Sequence, residues 1–183
     1  MAIREILLLG NQSLYNVSRE VTKDMHAISQ VVNDLHDTMM NFRERYGFGR
    51  AIAAPQIGEL LRIIYMSFDN KSYAIINPRL KFGEEEIQVW DDCMSFPGLE
   101  VKLKRYKKCR IFYKDLQWND CILEFEDDLS ELIQHEYDHL DGILAVQRAM
   151  DNKSLRINPD KSGCFLNMRP DPITSPAFKR LDR

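Results

Sequence analysis

The sequence predicts an α+β domain, and three observations carry that prediction. Apolar residues near the N-terminus recur at helical spacing, a run of short β-rich segments follows, and a second helical stretch closes the order. A doubly wound sheet would alternate its strands with helices, so this segregated order favours α+β packing. The length of 183 residues suits one compact domain that buries roughly two-thirds of its unfolded-chain surface.

Residues 3–9 read as a short strand or extended segment entering a turn at Gly10-Asn11. Met25, Ile28, Val31, Val32, Leu35, Met39 and Phe42 then mark the apolar face of a helix of some twenty residues. Thr22 or Asp24 can cap its start, and Gly47 stops it. Leu61–Met66 and Tyr73–Ile76 read as strands, with Asn77-Pro78 turning the chain. Glu86–Trp90, Val101–Leu103, Cys109–Tyr113 and Cys121–Phe125 follow as extended segments, the last two joined as a hairpin through Lys114–Asn119. Leu129–His139 returns to helical spacing behind Asp127 or Asp128 as cap. Ile143, Leu144 and Val146 form a further strand or a wall of the core. The prolines and glycine after Asp151 predict an extended surface tail, placing the domain at 1–160 and the tail at 161–183.

Composition narrows the function classes. Twenty-five Lys and Arg against 28 Asp and Glu give a net charge of −3, which argues against a broad nucleic-acid footprint. The basic stretch Val101–Arg110 reads as the solvated side of a strand. Cys93, Cys109, Cys121 and Cys164 form no CxxC pair, and no signal-peptide core or membrane span is visible. A reducing, soluble compartment is therefore expected, with thiolate available for chemistry. His26 and His36 lie about 15 Å apart along the first helix and cannot share an ion.

The chemistry is concentrated in Gln134-His135-Glu136-Tyr137-Asp138-His139. Histidines four apart lie on one helix face and can take adjacent positions around a single ion. Glu136 stands beside them as a base for an attacking water, a role that needs a raised pKa. No histidine or glutamate follows His139 to complete the site, so a ligand from upstream is required. Cys93, after the extended segment Glu86–Trp90 and before Pro97-Gly98, is the candidate, with a buried structural cysteine as the equal alternative. Cys109 and Cys121 read as core thiols. Gly49–Gly58 offers small residues for close backbone approach and the Gln56 amide, although a tight turn bearing a solvated glutamine explains it as well.

Taken together, Gly49–Gln56, Asp91–Ser95 and Gln134–His139 resemble the three ordered motifs of the peptide deformylase family, over Ile6 to about Val146. The resemblance implies a compact α+β fold with an antiparallel or mixed bent sheet around a central metal-binding helix. It implies that Cys93, His135 and His139 hold one divalent ion, Fe2+ in the cell, with Zn2+ or Ni2+ in purified protein. It implies hydrolysis of the formyl group from N-terminal formyl-methionine of nascent polypeptides, Glu136 handling the proton and the Gln56 amide and Met94 N–H facing the oxyanion. A methionine pocket is expected from Ile52, Phe96, His135 and Ile133, with Gly49 and Ala51 along the extended peptide. Arg105 is expected to pair with Asp91.

The departures from the family pattern are Arg50 for an apolar residue, Ala51 and Asp92 for glycines, Asp91 for glutamate and Met94 for leucine. A left-handed backbone at Asp92 would be tolerated by aspartate, while its carboxylate would disturb the pocket. Arg50 is expected to reach solvent rather than clamp Asp92 or Glu136. Two other readings remain: hydrolysis of another small N-formyl or N-acyl compound, and an N-terminus-binding homologue with weak turnover. The expected partner is a formylated nascent peptide, at the ribosome exit, with no DNA or membrane partner. The expected state is a monomer or weak homodimer in the cytoplasm.

Overall fold

Two helices and eight strands build the domain in a computed structural model that describes residues 2–25 and 27–161. His26, Cys164 and the expected tail beyond residue 161 lie outside the described residues. The long amphipathic segment forms α1, Ile28–Tyr46, and ends at Gly47, whose φ of 79° lets its N–H reach Arg43 O at 2.8 Å. Neither Thr22 nor Asp24 caps it; the helix starts later, behind Ala27, with no side-chain cap. Ile28, Val31, Val32, Leu35, Met39 and Phe42 are buried, as their spacing requires. They pack with Ile52, Ile63 and Tyr65, each large side chain contributing roughly 1.5–3 kcal/mol by burial.

The strands are β1 (Ala51–Ala53), β2 (Ile63–Phe68), β3 (Lys71–Phe82), β4 (Glu86–Asp92), β5 (Leu99–Tyr106), β6 (Lys108–Lys114), β7 (Asp120–Glu126) and β8 (Leu155–Ile157). One antiparallel sheet has the order β1-β2-β3-β6-β7; a second, β4-β5-β8, is also antiparallel. The expected turn at Asn77-Pro78 is instead an irregularity inside β3. The register with β6 shifts between Ile76 and Arg79, and Asn77 sits at φ 49°. Proline lacks the ladder N–H and is tolerated at such a bulge, while the Asn77 side chain bonds both Val21 N and Val21 O at 2.8 Å. The chain after Asp151 is likewise more than a surface tail, because β8 pairs with β5. Leu144 and Ala145 wall the core, leading a short 3-10 turn rather than a strand.

The second helix, α2 (Asp127–Leu140), contacts strands of both sheets and is the central helix of the fold. Its entry is not capped by Asp127 or Asp128. Glu126 precedes it in extended conformation and Asp127 takes φ 52°. Side chains bond α2 to the end of β5 instead: Ser130 donates to Tyr106 O at 2.8 Å, while Gln134 donates to the same carbonyl and accepts from Tyr106 N at 2.9 Å. At its other end Gly142, at φ 70°, lies where a Cβ would come within 2.6 Å of Tyr15 O. The N-terminal segment stays extended and links two of the sequence motifs, with Leu7 N on Gln56 O and Leu9 N on Ser95 O, both at 2.8 Å.

Candidate metal centre and its cavity

Three elements converge on one buried point. His135 and His139 project from the same face of α2, and Cys93 follows the end of β4. Cys93 Sγ lies 3.2 Å from His139 Nε2, which lies 3.1 Å from His135 Nε2; the three ligand atoms fall within 4.8 Å of one another and are buried. Bonds of about 2.0–2.3 Å to a tetrahedral ion separate neighbouring ligand atoms by roughly 3.3–3.6 Å. The donor set therefore fits one divalent ion after small adjustment, with soft sulfur and two imidazoles suited to zinc, iron or nickel.

A buried polar chain orients His135. Its Nδ1 is 2.7 Å from Asp91 Oδ1, leaving Nε2 for the ion, as carboxylate-supported histidine ligands commonly do. Asp91 Oδ2 accepts from Arg105 at 2.7 Å. The same guanidinium donates to Asp138 at 2.5 Å, and Asp138 also takes two bonds from Arg148 at 2.6 Å. Burial pushes the Asp91 carboxyl up, but His135 and Arg105 outweigh it and hold it down at about 2. For Arg105, too, burial works against the charge, and Asp91 and Asp138 overcome it. The structure thus brings Arg105 to Asp91, and it adds Asp138 and Arg148, which the sequence reading left without a role.

Glu136 is buried beside the ligands. Its Oε2 has no hydrogen-bond partner among the described residues, and an unpaired buried carboxylate oxygen is costly unless water or a ligand meets it. Burial, with Asp91 adding repulsion against the pull of His135 and Arg105, raises its carboxyl to about 7. Gln56 is buried rather than solvated. Its Oε1 accepts from Ala53 N at 2.9 Å, so its amide donor faces Cys93 Sγ at 3.5 Å and Ser95 Oγ at 3.2 Å.

A cavity of about 350 Å³ opens onto this centre. Gly49, Arg50, Ala51, Gln56, Asp91, Asp92, Cys93, Met94, His135 and Glu136 line it among the expected residues. Ile52, Phe96 and Ile133 do not; each is buried in a core cluster. The apolar part of the wall comes from Phe48, Met94 and Leu132 instead, while Asp128, Glu131, Arg43 and Lys161 make much of the remainder charged. Gly49 needs to be glycine here: at φ 113° a Cβ would also sit 3.3 Å from the Met94 sulfur.

The substituted positions settle into ordinary geometry. Ala51 and Asp92 have no left-handed backbone and belong to β1 and β4. The Asp92 carboxylate turns to Lys161 at 2.7 Å, and Lys161 also lies over the Phe48 ring, 5.0 Å from its centroid. Arg50 is exposed and pairs with Asp128 at 2.6 Å. Cys109 is buried as expected, whereas Cys121 is only half-buried.

A family model of polypeptide deformylase matches residues 3–155. The chain belongs to the polypeptide deformylase family. The family relative from Dictyoglomus turgidum, a peptide deformylase, is 34% identical over 153 residues, covering 84% of this chain and 97% of its own. That from Brachyspira hyodysenteriae is 30% identical over 164 residues, covering 85% of each. Among solved structures, peptide deformylase from Thermotoga maritima superposes with a TM-score of 0.75 at 27% identity, over 82% of this chain and all of that one. The Ehrlichia chaffeensis enzyme in complex with actinonin gives 0.76 at 27% identity, over 84% and 92%. As in the rest of this deformylase family, dependence on a metal accompanies the Cys-His-His group. No helix among the described residues is long and apolar enough to cross a membrane.

Proposed function

We propose that this chain is a metal-dependent hydrolase that removes the formyl group from N-terminal formyl-methionine of new polypeptides and releases formate. The observation that carries the reading is the meeting of Glu136, with its unpaired buried oxygen, the Gln56 amide and the Cys93-His135-His139 group in one cavity. A divalent ion held by Cys93, His135 and His139 supplies Lewis-acid charge that acidifies water and polarises a carbonyl. Ferrous iron is the proposed cellular ion, with zinc or nickel able to occupy the same donors.

The chain's own residues do the rest. Glu136 takes a proton from the attacking water; the C–N bond of the formamide breaks as the same carboxyl returns that proton to the departing amine. The Gln56 amide, its orientation fixed by Ala53 N, donates to the oxygen that gains charge on the formyl carbon, joined by the Met94 N–H. Asp91 and Arg105 keep His135 in register. The peptide lies extended along β1, whose Ala51 borders the cavity. Action on nascent chains near the ribosome exit, in the cytoplasm and as a monomer or weak homodimer, belongs to the same reading.

The test is formate release from formyl-Met-Ala-Ser by protein prepared without oxygen and loaded with ferrous iron or nickel, with Glu136→Ala beside it. Turnover in the wild type that vanishes in the variant supports the proposal. A fully metallated wild type that releases no formate from formyl-peptides overturns it.

A further inference from the structure

Apart from Glu136, whose unpaired oxygen serves the reaction, the charges around the cavity are almost all paired. Arg50 is bound to Asp128 and Lys161 to Asp92, while Arg43 donates to the Gly49 and Ser67 carbonyls at 2.7 and 3.1 Å. Asp91 is held by Arg105 and His135. Glu131 differs: it lines the cavity half-buried, and no cation or hydrogen-bond donor meets it among the described residues. It lies one helical turn before His135 on the same face of α2, which sets the two Cβ atoms about 6 Å apart. Glu131, His135, Leu132 and Phe48 line one cavity, so a substrate whose formyl group meets the ligands brings the side chain of its first residue within reach of Glu131.

We propose that Glu131 is a specificity-determining residue that extends this site's substrates from formyl-methionine to formylated peptides whose first residue is basic. The proposal rests on the deformylase reading above. A lysine stem can lie along Leu132, Met94 and Phe48 while its ammonium meets Glu131, much as long cationic side chains cover apolar surface elsewhere. Methionine fills a similar length but brings no donor to the Glu131 carboxyl, which burial already pushes up to about 7, whereas an ammonium beside it favours the charged form. Ile52, Ile133 and Phe96 are buried in the core clusters, so the apolar surface of the cavity is limited to Phe48, Met94 and Leu132.

The experiment compares kcat/KM for formyl-Lys-Ala-Ser and formyl-Met-Ala-Ser on the metal-loaded full chain, with Glu131→Leu and the isosteric Glu131→Gln. The wild type is expected to hydrolyse the lysine peptide at least as efficiently as the methionine peptide. Glu131→Leu is expected to lower the lysine value about tenfold or more and to raise the methionine value; Glu131→Gln lowers the lysine value alone. Efficient hydrolysis of the methionine peptide with the lysine peptide about a hundredfold worse, or variants that leave the ratio unmoved, overturns the role of Glu131 and leaves the deformylase reading standing. Formate from neither peptide removes both.

Discussion

The two ends of the cavity are built on different principles. At the metal end, buried partners hold the groups that orient the site: His135 by Asp91, Asp91 by Arg105, Arg105 by Asp138, and Gln56 by Ala53 N. Glu136, which lines the cavity, keeps its Oε2 without a partner among the described residues. At the mouth, Arg50–Asp128 and Lys161–Asp92 are partly exposed pairs at the ends of elements, and Glu131 has no partner among the described residues. The difference separates chemistry from selection. Groups that must sit within a fraction of an ångström of reacting atoms are over-determined, whereas the mouth can change its charge without disturbing them. Arg50, Asp92 and Asp128 show this directly, since Arg50 pairs with Asp128 and Asp92 with Lys161 instead of reaching the ligands.

Perturbing the metal end should therefore have the larger consequences. Glu136→Gln is expected to reduce kcat/KM about 10²- to 10⁴-fold while metal content measured by elemental analysis stays at the wild-type level. Loss of the ion in that variant would move Glu136 from proton transfer to metal retention. Arg105→Met breaks the chain one step farther back. Leaving Asp91 and Asp138 buried without their shared cation should cost about 3–5 kcal/mol in denaturant unfolding. Loosening the carboxylate behind His135 should weaken metal affinity by roughly 10- to 100-fold. A stable Arg105→Met with unchanged affinity would show that His135 needs no such support.

The same contrast explains what was legible in the sequence. Residues whose chemistry depends on spacing could be read: the i, i+4 histidines, Glu136 between them and the amphipathic α1 all follow from helical geometry. Asp91 and Arg105 were paired through the family resemblance and not by spacing, for in the β4–β5 register Arg105 lies opposite Ile87 and Asp91 opposite Val101. Asp138 was in plain view inside the histidine motif, but its role depends on Arg105 and on Arg148, a partner supplied by a separate turn. Glu131 and Lys161 carried no motif at all. The i, i+4 spacing sets Glu131 on the histidine face of α2, but only folding shows that it borders the cavity without a partner among the described residues and that Lys161 meets Asp92. Ile52, Ile133 and Phe96 misled for the converse reason. Apolar character near a motif says that a side chain is buried, not which side of the strand or helix it is buried on.

Smaller effects should follow at the mouth. Lys161→Met removes a pair whose members are both partly in water, so unfolding should change by about 1 kcal/mol or less. KM for a formyl-peptide should shift while kcat holds, because Asp92 borders the cavity without touching the ligands. A fall in kcat equal to the change in kcat/KM would mean that the mouth takes part in the chemical step after all.

The weakest expected effect is an acid-dependent loosening of the chain that carries Lys161. Glu100 accepts from Arg156 at 2.6 Å and Asn158 at 2.7 Å, tying β8 and the residues after it to β5. Burial alone would raise its carboxyl, but the Asn158 and Arg156 bonds together hold it below the usual 4.5. A lowered folded-state pKa means that this contribution is fully present above the unfolded value of 4.5 and disappears as pH falls through the folded one. Arg156 also stacks over Trp90 at 4.0 Å, so Trp90 fluorescence in a Trp118→Phe background reports the detachment. The signal should change with acid below about pH 4.5, and Glu100→Gln should show the detached value at neutral pH with metal content intact. If acid releases the ion before Trp90 responds, the metal end is the more fragile of the two, and the contrast drawn between them reverses.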